Sequence, residues 1–171
     1  MANVILGLLM LWPQSLYELT KSFEAGISLF YSASTGSIKR ALDRLSSAGF
    51  VELGEESGPR GKKLYSITDA GRGEFRRWML SEVDGSDVET AVLSRVYFLG
   101  LLEPQARAEV GSRIRRRISA DLAQLQAFES QVGGTAIPEG YEAVAEYQFA
   151  TLRYGVAAHN TALEWAESQL P

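Results

Sequence analysis

Between two short apolar runs, Phe50 to Leu53 and Leu64 to Ile67, lies the segment Gly54-Glu55-Glu56-Ser57-Gly58-Pro59-Arg60-Gly61-Lys62-Lys63. A stretch so dense in glycine, proline and charge sustains neither a helix nor a buried strand. The chain must turn back there, and the flanking runs pair as a β-hairpin with an extended tip. Everything on either side of that hairpin carries helical periodicity. Few architectures accommodate one small hairpin set among helices.

Upstream, an apolar run over residues 3–11 ends at Pro13, which cannot continue a helix. Ser15 stands at the N-cap position of a second helix, Leu16 to Ala25, whose Leu16, Leu19 and Phe23 share one face, with Ile27 just beyond. Ser34 caps a third helix, Thr35 to Ala48, and Gly49 stops it. In this third helix Ile38, Ala41, Leu42 and Leu45 gather in a narrow arc, while Gly36, Lys39, Arg40, Asp43 and Arg44 lie opposite. After the hairpin, Thr68-Asp69 opens a fourth helix running to Leu80. The order helix, helix, helix, hairpin, helix is that of a winged helix-turn-helix, expected over residues 1–82.

Val83 to Ser86 reads as a link to a second domain over residues 87–171. Ser86 and Glu89 have capping-box spacing and open a helix of about residues 87–101. Glu103-Pro104 starts a long helix, broken near Gly133-Gly134 and Ile137-Pro138. In the last helix, residues 139–169, the positions Ala145, Phe149, Leu152, Val156, His159, Leu163, Ala166 and Leu170 repeat in steps of four and three. That is a heptad seam. Its members Phe149, Leu152, Val156, His159 and Leu163 are the expected dimer interface, with His159 a polar residue fixing register. Beside it runs a second stripe of Tyr147, Tyr154, Ala158 and Trp165. The fold expected is mainly α with a small β-hairpin wing: an N-terminal winged helix-turn-helix joined to a C-terminal α-helical dimerisation domain.

Composition narrows the chemistry. No cysteine occurs, which removes disulfides, thiol nucleophiles and Cys-ligated zinc and fits a reducing cytoplasm. A single histidine without a second His or Cys offers no metal site. P-loop, dinucleotide and nucleophile-elbow motifs are absent, so neither an enzyme nor a cofactor is expected. The apolar run Val4 to Trp12 lacks the basic start and cleavage site of an export signal and is too short to span a bilayer. No membrane partner is expected. The net charge of −4 is unevenly placed: residues 1–81 hold 10 Lys/Arg against 8 Asp/Glu, and residues 82–171 hold 7 against 13. A weakly basic binding domain joined to an acidic one has that asymmetry.

The third helix is the candidate reader of double-stranded DNA. Short polar and basic side chains at the N-terminal half of a recognition helix reach base edges and phosphates in the major groove. Ser34, Thr35, Ser37, Lys39, Arg40 and Arg44 fit that need, and Gly36 permits close approach. Arg60, Lys62 and Lys63 on the hairpin suit a wing lying along a phosphate backbone, although Glu55 and Glu56 share the loop. A winged helix that binds protein instead remains open, because fold does not fix function.

Residues 4–80 resemble the winged helix of the PadR family of regulators. The matching pieces are Ile5-Leu6-Gly7-Leu8-Leu9, Pro13 with Tyr17-Glu18-Leu19, and Gly36-Ser37-Ile38 with Ala41-Leu42 and Arg44-Leu45. They continue in Ala48-Gly49-Phe50-Val51-Glu52, Arg60-Gly61-Lys62-Lys63-Leu64-Tyr65 and Ile67-Thr68-Asp69-Ala70-Gly71-Arg72. The resemblance adds Tyr17 and Tyr65 to the DNA-facing set. Residues 87–170 resemble the family's helical Vir-like domain. Together these imply a homodimeric regulator, usually a repressor of a nearby promoter acting on a pseudo-palindromic operator, in some members released by a small aromatic or drug-like ligand. Trp12, Tyr147, Tyr154 and Trp165 are candidate walls for such an effector. Arg113, Arg115, Arg116 and Arg117 spread around a helix and read as a solvated face or intersubunit ion pairs.

Overall fold

The computed structural model describes residues 1–54 and 63–171. In order these form α1 (Ala2–Leu11), α2 (Leu16–Ala25), α3 (Thr35–Ser47), β1 (Val51–Leu53), β2 (Tyr65–Ile67), α4 (Asp69–Met79), α5 (Val88–Tyr97), α6 (Pro104–Val132) and α7 (Glu142–Gln169). They fall into two compact units, Met1–Ala106 and Arg107–Pro171.

The helix starts follow from local chemistry. Ser15 and Glu18 form a reciprocal capping box on α2, and Ser34 with Ser37 forms one on α3. Thr68 caps α4 by accepting from the Gly71 amide at 3.1 Å. α5 departs from expectation: its cap is Asp87, which accepts from the Thr90 amide at 3.0 Å, rather than Ser86. Gly49 ends α3 with φ +74°, a left-handed turn that a side chain would strain.

The core of the first unit is built on α1, whose Val4, Ile5, Leu6, Leu8 and Leu9 are all buried. α1 packs against α3 and α4, and α2 against α3. Ile38, Leu42 and Leu45 are the inward face of α3, and each contributes roughly 1.5–3 kcal/mol through burial. β1 and β2 pair antiparallel, Val51 with Ile67 and Leu53 with Tyr65. The hairpin is fastened to the helices by a backbone bridge, Gln14 N–H to Tyr65 O at 3.1 Å and Tyr65 N–H to Gln14 O at 2.8 Å.

α5 and the turn after it pack on this same unit. Thr90 Oγ1 donates to Phe30 O at 3.0 Å. The Phe98 ring stacks edge-on against Phe75 at 6.0 Å and crowds Gly7, where an added Cβ would sit 2.7 Å from the ring. The compact unit therefore extends beyond the Val83–Ser86 stretch read from sequence as a link.

In the second unit α6 and α7 run antiparallel. Gly111 on α6 faces Leu170 and Pro171 at the end of α7, and Leu125 lies beside Gly155. Arg115 reaches across to the last turn of α7, donating to Ala166 O at 3.4 Å, Leu170 O at 3.2 Å and Pro171 O at 2.9 Å. A cation on those open carbonyls both caps the helix and complements its dipole. Arg113 pairs with Glu109 at 2.6 Å and Arg117 with Asp121 at 2.9 Å, so this arginine cluster is largely structural.

Gly71 tests how tightly α4 is set against the hairpin. An added Cβ there would collide with the Phe50 carbonyl and lie 2.8 Å from Ile67 Cγ1. Gly71→Ala is expected to lower folding stability by about 2 kcal/mol, measured by urea denaturation. Gly73→Ala, two residues on with nothing within contact distance, should be neutral or stabilising.

Candidate nucleic-acid interface

The outer face of α3 is a basic strip raised on an apolar base. Burial of Ile38, Leu42 and Leu45 fixes the roll of the helix, so Lys39, Arg40, Asp43 and Arg44 must face outward, and all four are exposed. The cations on this strip differ in freedom. Lys39 is bound by the Asp43 carboxylate one turn on. That hydrogen bond holds its ammonium above the usual lysine range, with a smaller contribution from Tyr65. Arg40 and Arg44, by contrast, make no side-chain hydrogen bond or ion pair among the described residues. They are the open guanidinium groups of the helix, able to take phosphate or a guanine edge in bidentate fashion.

Gly36 is exposed in the first turn of α3, and a Cβ there would meet nothing but Arg40 Nη1, at 3.7 Å. Nothing among the described residues demands glycine at this place. A bare backbone at a helix N-terminus suits close approach by another molecule's phosphate. Thr35 beside it is exposed. Ser34 and Ser37 are committed to each other: Ser34 N–H donates to Ser37 Oγ at 2.9 Å, and Ser37 Oγ donates to Ser34 O at 2.7 Å. Their first role is to start the helix.

Tyr17, at the start of α2, is 70% exposed and carries Lys21 Nζ over its ring at 5.8 Å. Lys63 is exposed at the base of the wing. Arg60 and Lys62 lie outside the described residues. Tyr65, expected to face DNA, is buried: strand alternation sends it inward with Ile67, leaving 7% of it exposed.

Part of the α7 seam packs within the chain. Leu152, Ala166 and Leu170 are buried in the single chain, and the contacts at Gly155, Ala166 and Leu170 turn this side of the helix toward α6. Phe149, Val156, His159 and Leu163 are partly exposed along the same seam, and His159 Nδ1 lies 2.8 Å from Gly155 O of its own helix. The periodicity marked a helix-packing stripe, and much of that packing is internal. Of the aromatic candidates, Trp12 is 56% exposed in the first unit, while Tyr147 and Tyr154 are 73% and 76% exposed on α7 and Trp165 is half-buried.

Three packed helices, a hairpin behind the third and an outward basic face on that third helix define a winged helix-turn-helix, the class to which many DNA-binding regulators belong. Residues 5–77 match the pattern described as the transcriptional regulator PadR-like family, and residues 90–171 match that described as virulence activator alpha C-term. The chain belongs to the PadR-like family of transcriptional regulators. It is 24% identical over 169 residues to the negative transcriptional regulator PadR of Bacillus subtilis, covering 97% of this chain and 93% of that protein. It is 26% identical over 165 residues to the probable transcriptional regulator Rv1176c of Mycobacterium tuberculosis, covering 88% and 85%. The crystal structure of Bacillus subtilis PadR with operator DNA aligns over 98% of this chain and 94% of that one, at 24% identity and a TM-score of 0.47. The same protein with p-coumaric acid aligns over 98% and 91%, at 24% identity and a TM-score of 0.43.

Gly36→Ala separates binding from folding. Alanine should raise stability by about 0.5 kcal/mol in urea denaturation. It should also lower operator affinity at least tenfold, about 1.4 kcal/mol. Unchanged affinity would remove Gly36 from the contact surface.

Proposed function

We propose that this DNA-binding regulator represses transcription as a homodimer in the cytoplasm. In this reading α3 enters the major groove of a pseudo-palindromic operator, and the hairpin lies along the adjacent phosphates. The observation that carries it is the division of labour on α3. An apolar face locks the helix to α1 and α2, while Arg40, Arg44 and the bare backbone at Gly36 point outward with no internal employment among the described residues. Repression rather than activation is favoured by the negative regulator of Bacillus subtilis among the relatives. Release by a small aromatic ligand completes the proposal.

Dimerisation is assigned to the acidic second unit. With much of the seam turned toward α6, the apolar side chains left over on α7 are Val144, Tyr147 and Tyr154, between 52% and 76% exposed, with Phe128 on α6 53% exposed. So much exposed aromatic surface on one helix pair suits burial against a second copy. A two-fold dimer presents two α3 helices, and operator symmetry should mirror it.

Selection of bound fragments from genomic DNA tests the whole reading. The expected product is a pseudo-palindrome with half-site centres separated by about 10 base pairs or a multiple. Recovery of no common sequence, with affinity independent of salt, would instead favour a protein-binding winged helix. On the selected operator, Arg40→Ala and Arg44→Ala should each reduce the slope of log K against log salt by ~0.9 if each neutralises one phosphate. Lys39→Ala should change it less, because Asp43 already compensates that charge. Tyr147→Asp combined with Tyr154→Asp should give folded monomers by light scattering. A persistent dimer would refute this interface.

A further inference from the structure

The residues from Gly26 to Ser34 separate α2 from α3. A helix-turn-helix ordinarily joins its two helices with about three or four residues, and so short a turn fixes their angle covalently. This longer connection cannot. The buried side chains of α3, Ile38, Leu42 and Leu45, set the roll of the helix from its middle and its end. Its first turn, Thr35 to Ser37, carries the bare backbone proposed to meet DNA and contributes no buried side chain. Where that turn lies therefore depends on what holds the connection ahead of it.

Ile27 pins the start of the connection in the core. Beyond that, α5 grips it at both ends of the Gly26–Phe30 segment. Thr90 Oγ1 donates to Phe30 O at 3.0 Å, and the Tyr97 ring lies against the Phe30 ring at 5.8 Å. The Tyr97 hydroxyl covers Gly26, where an added Cβ would sit 2.8 Å from it. Gly26 has φ −148°, so its backbone conformation does not require glycine. The space under the hydroxyl does. The gripping helix is itself fixed, because the Phe98 ring meets Tyr97 at 5.0 Å and Phe75 at 6.0 Å. A line of rings thus runs from α4 through α5 to the segment that leads into α3.

We propose that α5 positions the first turn of α3, with Thr90 and Tyr97 as the positioning residues, so that sequence-specific binding depends on a helix that does not itself meet DNA. The inference rests on the reading of α3 as the DNA-facing helix for its functional meaning. It also gives α5 a place in the chain's design. Through the turn Leu99–Leu101 it leads into α6, which continues from the first unit into the second. α5 is the covalent route from the unit assigned to dimerisation to the helix assigned to reading.

Amide hydrogen exchange of the full chain without DNA, and affinity for the selected operator against random duplex, test it together. Thr90→Val keeps the shape of the side chain and loses the hydroxyl. Exchange at the Ser37 and Ile38 amides, which close the first turn of α3, should quicken about fivefold, the worth of about one hydrogen bond, with α1 unchanged. Operator affinity should fall about fivefold while affinity for random duplex holds, because the same cations still meet phosphate. Thr90→Ser should behave as the parent. Gly26→Ala should displace the Tyr97 ring and lower operator affinity about tenfold. Tyr97→Phe should be silent alone and should restore most of that loss in the double variant, where Cε2 at 3.3 Å becomes the nearest atom. Parent-like exchange and operator affinity in a folded Thr90→Val chain would overturn the proposal. So would equal losses on operator and random duplex, or a Gly26→Ala loss that Tyr97→Phe does not relieve. Quickened exchange in Thr90→Val from a parent that selects no operator would uphold the positioning and sink the reading of α3.

Discussion

The wing is held to the helices through one buried amide. Gln14 is fully buried between the end of α1 and the start of α2. Its Nε2 donates to Leu8 O at 2.8 Å, its Oε1 accepts from Ser22 Oγ at 3.1 Å, and its backbone forms both bonds of the bridge to Tyr65. Four hydrogen bonds thus join α1, α2 and β2 at a point water does not reach. A buried polar group left unpaired costs more than any one of these bonds contributes, so the arrangement holds as a set. The bridge sets β2 against the helices, with Tyr65 at its far end.

From this anchor the organisation of the first unit can be traced outward. α1 supplies the apolar floor, and α3 lies on it by Ile38, Leu42 and Leu45. Gly71 lets α4 close against Phe50, and α5 completes the unit through Phe98 and Thr90. Rigidity ends at the outer surface of α3, where side chains stand free or are held only by one another. The residues that determine shape and those proposed to read DNA are therefore separate sets on the same helix.

The helix order, the caps at Ser15, Ser34 and Thr68 and the stop at Gly49 were legible in the sequence because each depends on chemistry within a few residues. The basic face of α3 was legible for the same reason. Tertiary choices were not. The α7 heptad announced a packed stripe, but periodicity records burial and not the identity of the neighbour, and α6 of the same chain occupies much of it. Tyr65 sat among cations and looked like a contact, while the two-residue period of its strand sent it inward. Gln14 carries no local signal that would mark it for burial. Arg95 carries no local signal of burial, and only the fold encloses its guanidinium, with no carboxylate at ion-pair distance among the described residues.

In the proposed reading of α3, the pairing of Lys39 with Asp43 has a kinetic meaning. A reader whose every cation is open adheres to any duplex, because phosphate contact is indifferent to sequence. Internal neutralisation of one of the three cations on α3 lowers that indiscriminate attraction while Arg40 and Arg44 stay available. Residence on irrelevant DNA shortens, and a modest number of protein molecules can survey a chromosome crowded with competing sites. On a helix that reads DNA as proposed, this aspartate acts as a governor on search time.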